Sequence, residues 1–233
     1  MSKIIAFIPA RSGSKRIKNK NIIEIKKKPL LGYSIIEAKK SKIFDRVIVI
    51  TDSMKYKKIA ERYGAEVPFL RPKKTAMDHS PDLTWLKWIV RKLNLNNDDI
   101  FSILRPTNPF RKASTIKRAW KLFKINKRKI DSIRAVEICK QHPGKMWIFK
   151  NSKIVPLIKK KINGIPYHSN QYKVLPKIYI QNASLEISFV KNITEKNSIS
   201  GNRILPFFTK NLEGLDINNK EDLILAKLHT SYL

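Results

Sequence analysis

Short apolar runs alternate with amphipathic stretches through the first half of this chain. Ile4-Ile5-Ala6-Phe7-Ile8-Pro9 is unbroken by polar residues and reads as a buried strand, Ile4–Pro9. Over Leu30–Lys40, Leu31, Ile35 and Ala38 recur at helical spacing. Val47–Ile50 is a second buried strand ending in Thr51-Asp52-Ser53, and Asp52 or Ser53 can cap a helix over Met54–Tyr63 that stops at Gly64. Ser80-Pro81-Asp82 places a capping hydroxyl, a first-turn proline and an early acid ahead of a helix over Leu83–Leu93. Ile100–Leu104 is the next strand, broken by Pro106 and Pro109, and Ser114–Lys124 is another helix. Strands that alternate with helices predict the α/β class, with a mostly parallel sheet covered on both faces.

From about Ile133 the rhythm changes. Ile133–Ile138, Met146–Phe149, Lys153–Leu157 and Ile178–Val190 are strand candidates with little helix between them, and Asn151-Ser152 reads as a hairpin turn. Residues 140–185 therefore look like a β-rich arm inserted into a single domain spanning 1–233. Asp216–Ile217 is expected to return to the main sheet. Asn219 then caps a last helix with Glu221 and Asp222 in its first turn, where the macrodipole favours acids.

Composition narrows the class. A chain of 233 residues with 42% hydrophobic side chains can bury one sizeable core. The formal net charge of +31 fits either a polyanionic partner or a biased composition. The lysines are spread along the whole chain, with short runs at Lys26-Lys27-Lys28 and Lys159-Lys160-Lys161 but no basic tail. No RNA-binding motif, zinc-finger spacing or basic zipper accompanies them, so nucleic acid is not the expected partner. The single cysteine, Cys139, excludes an intramolecular disulfide and fits a reducing compartment. No signal-peptide pattern opens the chain, and no window reaches ~18 apolar residues. The expectation is a soluble cytoplasmic protein with no membrane partner.

The candidate chemistry follows the first strand. In Ala10-Arg11-Ser12-Gly13-Ser14-Lys15 and on to Lys20-Asn21, small residues free backbone N–H groups to face an anion, and Arg11, Lys15, Arg16 and Lys20 add charge. A polyphosphate is the natural guest, and a solvated basic loop is the alternative. Neither the Walker pattern nor the Rossmann glycine fingerprint is present.

The segment Ile8-Pro9-Ala10-Arg11-Ser12-Gly13-Ser14-Lys15, with Lys20-Asn21, resembles the CTP-binding signature of the acylneuraminate cytidylyltransferases. Leu104-Arg105-Pro106-Thr107-Asn108-Pro109-Phe110-Arg111, Ile180-Gln181-Asn182-Ala183 and Leu215-Asp216-Ile217-Asn218 resemble three further blocks of that family, in the same order. The resemblance implies a Rossmann-like three-layer nucleotidyltransferase fold with a dimerisation arm. It also implies transfer of CMP from CTP to a sialic-acid-like nonulosonic or related 2-keto-3-deoxy sugar acid, with Mg²⁺ and release of pyrophosphate. A Kdo-type acid is the alternative acceptor.

Carried over residue by residue, the resemblance assigns Arg11, Lys20 and Asp216 to catalysis. It assigns Ala10, Arg11, Ser12, Gly13, Ser14, Lys15, Lys20, Asn21, Arg71 and Ser80 to the nucleotide. Asn21 can instead stabilise the loop, and Ser80 can be only a helix cap. Arg105, Thr107, Asn108, Arg111, Gln181 and Asn182 are expected to wall the acceptor site. Asp216 and Asn218 are the expected metal ligands, with Asn218 replacing the family's second acid and Glu213 close enough in sequence to compensate. Arg105 for Gln, Ala183 for Gly and Tyr172 for Arg depart from the family where the acceptor would sit. His142 is expected to pack or hydrogen-bond rather than transfer protons, and Trp85 and Trp88 belong to the core or an interface. Trp147, Ile154, Leu157, Tyr167, Tyr172 and Tyr179 load the arm with more apolar material than it can bury alone, which predicts a homodimer.

Overall fold

A computed structural model describes residues 2–233. In chain order its elements are strand β1 (Ile4–Pro9), a tight β2–β3 hairpin (Glu24–Ile25 and Lys28–Pro29), helix α1 (Leu30–Ser41), β4 (Arg46–Ile50), α2 (Met54–Arg62), α3 (Asp82–Lys92), β5 (Ile100–Ile103) and α4 (Ala113–Asn126). There follow β6 (Ser132–Ile138), the β7–β8 hairpin (Trp147–Lys150 and Lys153–Pro156), the β9–β10 hairpin (Lys161–Ile162 and Ile165–Pro166), β11 (Tyr179–Phe189), α5 (Lys191–Thr194), β12 (Ile204–Phe208) and α6 (Lys220–Leu228). Two compact units result: residues 1–135 with 182–233, and residues 136–181.

The larger unit is built on a sheet of order β12-β6-β11-β5-β1-β4. β1 lies parallel to both β4 and β5, and β11 runs antiparallel to β5. Because successive strand side chains point to opposite faces, the all-apolar β1 feeds two cores. Ala6 and Ile8 join Leu31, Ile35 and Ala38 of α1, Tyr56 and Ala60 of α2, and Ile116, Ala119 and Phe123 of α4. Ile5 and Phe7 join Trp85, Leu86, Ile89 and Val90 of α3 and Ile193 of α5. This is the expected three-layer α/β arrangement. No helix among the described residues is long and apolar enough to cross a membrane.

Local chemistry sets the helix ends. Ser53 Oγ accepts from Tyr56 N–H to cap α2, and Gly64, at φ +81°, turns the chain out of the helix. Asn219 caps α6 through Asp222 N–H while Asp222 returns a bond to Asn219 N–H. Ser80 does not cap α3: Pro81 holds the cap position, and the Ser80 hydroxyl donates to Lys74 O at 3.1 Å. Trp85 is fully buried, whereas Trp88 is half-buried and meets Phe69 edge-on.

The strand expected at Asp216–Ile217 is absent. That stretch is irregular backbone between a 3-10 turn (Asn211–Gly214) and α6, and Ile217 N–H donates to Thr107 O at 2.9 Å. The strand that joins the sheet in this part of the chain is β12, which carries Pro206. It ends the sheet order, and an edge is where proline costs no ladder bond.

In the smaller unit the β7–β8 turn places Asn151 and Ser152 at φ 50° and 59°, as a two-residue hairpin of the favoured hand requires. His142 accepts from Gly144 N–H and bonds Pro176 O, and so serves hydrogen bonding. Phe149, Ile154, Trp147 and Leu157 are exposed on this unit.

Candidate nucleotide site

The first loop starts where β1 ends, and β1 is the strand with parallel neighbours on both sides. The chain passes from β1 through α1 to β4 on one side, then through α2 and α3 to β5 on the other. That reversal opens the crevice in which α/β sheets receive ligands. Ala10 N–H donates to Ile50 O, and Ser12 gives both its N–H (2.8 Å) and its hydroxyl (2.9 Å) to Asp52 at the end of β4. Asn21 is buried and donates its amide to Arg11 O at 3.0 Å, so its side chain shapes the loop from within. Ser14 N–H bonds Ser12 O, and a Cβ built on Gly13 would meet nothing within 4 Å.

Two of the loop's cations, Arg11 and Lys15, converge on a single acid. Arg11 Nη1 lies 2.5 Å and Lys15 Nζ 2.8 Å from the two oxygens of Asp78. Hydrogen bonds from Lys15 and Arg11 hold the Asp78 carboxyl below the usual carboxylate range. One carboxylate thus sits on two cations that are free to take a phosphate instead. Arg71 is buried, bonded through Nε to Thr75 Oγ1 and through Nη2 to Thr75 O, with its guanidinium over Trp85. Burial pushes its pKa down to about 10, against the pull of Asp82 and Asp52.

Lys20 reaches across to the segment before α6. Its ammonium donates to Ile217 O at 2.9 Å, and burial lowers its pKa while Asp216 pulls the other way. Asp216 Oδ2 accepts from the Asn218 amide at 2.7 Å, whereas its Oδ1 is buried without a hydrogen-bond partner. An anionic oxygen left without a donor suits a cation, so Asp216 fits the expected Mg²⁺ as a donor. No cluster of three or more acids, histidines or cysteines forms among the described residues. Glu213 does not compensate for Asn218: it is occupied by Arg118, Thr115 Oγ1 and Lys210 N–H. Burial pushes its carboxyl up, but those bonds outweigh burial and its pKa falls.

The expected acceptor wall divides. Arg105 bridges Asp82 at 2.6 Å and Glu186 at 3.4 Å, and Glu186 is bonded in turn to Arg134. Burial works against the Arg105 charge, but the two acids hold its pKa above the ordinary value. Arg111 is 1% exposed and cannot line a surface site. Its guanidinium is spent on Ser34 Oγ, Arg105 O and Ser184 O, and burial pushes its pKa down to about 9. Asn108 is also buried, giving its amide to Glu213 O and accepting from Arg111 N–H. Thr107 offers its carbonyl to Ile217, which ties this turn to the Asp216 segment. Asn182 donates to Thr209 Oγ1 and accepts from Ser184 N–H, while Gln181 is exposed on the smaller unit. Sequence reasoning missed Asp52 and Asp78 as partners of the loop. Asp52 is legible as the polar residue that ends the neighbouring strand, whereas nothing local marks Asp78.

The model of the cytidylyltransferase family matches residues 5–184. A CMP-N,N'-diacetyllegionaminic acid synthase of Legionella pneumophila is 29% identical over 97% of this chain and 95% of its own length. An N-acylneuraminate cytidylyltransferase of Escherichia coli O18:K1:H7 is 46% identical over 52% of this chain, a stretch that spans only 28% of that relative. Among solved structures, a CMP:2-keto-3-deoxy-manno-octonic acid synthetase complexed with CTP superposes with a TM-score of 0.70 over 99% of both chains at 14% identity, a likeness of fold. By the span of the matched model and the geometry of its first loop, the chain belongs to the cytidylyltransferase family.

Proposed function

We propose that this chain joins CTP to a sialic-acid-like nonulosonic acid, giving a CMP-sugar and pyrophosphate. The observation that carries the reading is the pair Arg11 and Lys15 at the carboxyl end of β1, held by one displaceable acid, with Lys20 beside Asp216. The anomeric hydroxyl of the acceptor attacks the α-phosphorus of CTP. A new P–O bond forms, the α–β bridge breaks with its electron pair leaving on pyrophosphate, and the hydroxyl proton passes to solvent water. Arg11 can grip two phosphate oxygens at once, and Lys15 and Lys20 supply point charges that offset the charge developing on the leaving group. Mg²⁺, held by Asp216 with Asn218 beside it, would neutralise part of the triphosphate charge.

The acceptor assignment is supported by the nonulosonic-acid names of the relatives, one of which spans the chain nearly end to end. Arg105, already shared by Asp82 and Glu186, has less charge to spare for an acceptor carboxylate than a free arginine has. The exposed apolar residues of the smaller unit support a homodimer through that unit, which salt would tighten by screening two cationic chains. The single thiol fits a reducing, cytoplasmic compartment. A pyrophosphate-release screen of the four nucleoside triphosphates against a panel of 2-keto-3-deoxy acids tests the reaction. Release with CTP and a nonulosonic acid is expected, and release with none sinks the reading. Light scattering at moderate salt tests the dimer, which a monomer at micromolar concentration would refute.

A further inference from the structure

The outer side of α3 carries a row of cations, with Leu83 and Trp88 packed at the margin of the core beneath them. Trp85, Leu86, Ile89 and Val90 turn onto the sheet. Leu83, Lys87 and Arg91 follow one another at one-turn spacing, with Trp88 and Lys92 on the adjoining row. Together with Asn197 these five side chains line an open groove of about 760 Å³, within the size range of small-molecule sites.

The groove has a built character. Trp88 is half-buried and fixed by the edge-on ring of Phe69 at 6.4 Å, and the Lys92 ammonium lies 5.8 Å from that same Phe69 ring. Lys87 is held by a hydrogen bond from its ammonium to Asn197 Oδ1, and Asn197 adopts a left-handed conformation at φ 50°. None of the residues lining the groove is acidic. Arg11 and Lys15 of the first loop, Arg105 after β5 and Arg134 of β6, by contrast, each meet a carboxylate.

Three cations around an indole, with no acid, suit a ligand that has a flat apolar body and more than one negative charge. A nucleoside phosphate has that make-up, since its base can lie along Trp88 while its phosphates meet Lys87, Arg91 and Lys92. We propose that this groove is a second nucleotide-binding site, separate from the β1 loop and independent of the coupling reaction. Its floor includes Pro81, next to Asp82, whose carboxylate holds Arg105, so an occupant would sit one residue from the ion cluster at the end of β5.

Titrating the full chain with ATP, read by tryptophan fluorescence and by equilibrium dialysis, tests the site without relying on CTP chemistry. We expect saturable binding at the groove, weakened at least tenfold in Lys87→Ala/Arg91→Ala, two changes on the solvent side that should leave the melting temperature unchanged. Arg11→Ala should leave this ATP binding intact, and tripolyphosphate should bind at least tenfold more weakly than ATP. Trp88→Leu, which keeps an apolar side chain, should remove both the binding and its fluorescence response. The proposal is overturned by ATP binding that the double variant does not change, by ATP binding that Arg11→Ala abolishes, or by tripolyphosphate binding as tightly as ATP.

Discussion

The loop after β1 and the turn after β5 leave adjacent parallel strands, and both carry arginines that the family motif marks. They use those arginines in opposite ways. Arg11 is about one-third exposed and held by Asp78, a surface acid that a phosphate can displace. Arg111 is 1% exposed, and its guanidinium is shared among a hydroxyl and two carbonyls from three separate segments. Residue type alone does not separate the two. What separates them is burial: Arg11 keeps about a third of its side chain in solvent beside a surface acid, whereas Arg111 is enclosed with its partners.

The sharpest way to break that comparison is to remove each arginine and ask what is lost. Arg111→Ala should destabilise the fold by on the order of 3 kcal/mol, because buried acceptors lose their donors and a cavity opens. Urea unfolding measures this, and a loss below about 1 kcal/mol would return Arg111 to the functional group. Arg11→Ala should do the reverse. CTP binding weakens by roughly 1.5–3 kcal/mol and turnover collapses while the melting temperature holds. Wild-type kinetics in that variant would refute the loop assignment.

Finer tests concern the acids. Asp216→Asn removes a charge that Mg²⁺ requires, so the Mg²⁺ concentration for half-maximal activity should rise by about tenfold or more. Asn218→Asp should be tolerated and should lower that concentration; an unchanged metal dependence in Asp216→Asn would exclude it as a ligand. Asp78→Asn should have the smallest effect. Freeing Arg11 and Lys15 from a competing carboxylate should tighten CTP a few-fold, the scale of exposed ion pairs, and calorimetry that finds weaker binding would mean that Asp78 organises the loop instead.

Much of the fold was legible because local pattern and tertiary demand agree. Ile4–Pro9 is apolar throughout and is buried on both faces, and Gly64 ends α2 because its positive φ suits glycine. β12 was hidden by Pro206, which reads as a breaker until the strand is known to lie at the sheet edge. The β9–β10 hairpin was not read from the sequence: it turns at Asn163-Gly164, both at positive φ, but its strands are too short to register as a pattern. In the site, the loop was legible from its charge. The inward fate of Arg111 and Asn108 was not, because their partners Ser34, Ser184 and Glu213 lie far away in sequence and no spacing rule links them.

The commitment of Arg111 also has a consequence for how the chain folds. Its partners come from α1, from the turn after β5 and from β11, and β11 reaches the sheet only after the whole of residues 136–181 has been traversed. Without β11 the guanidinium loses the Ser184 carbonyl and is better left in water. A sheet of β1, β4 and β5 without β11 therefore lacks one of its internal supports. Through this one side chain α1, the turn after β5 and β11 are tied together, so opening any one of them strips donors from the acceptors of the other two.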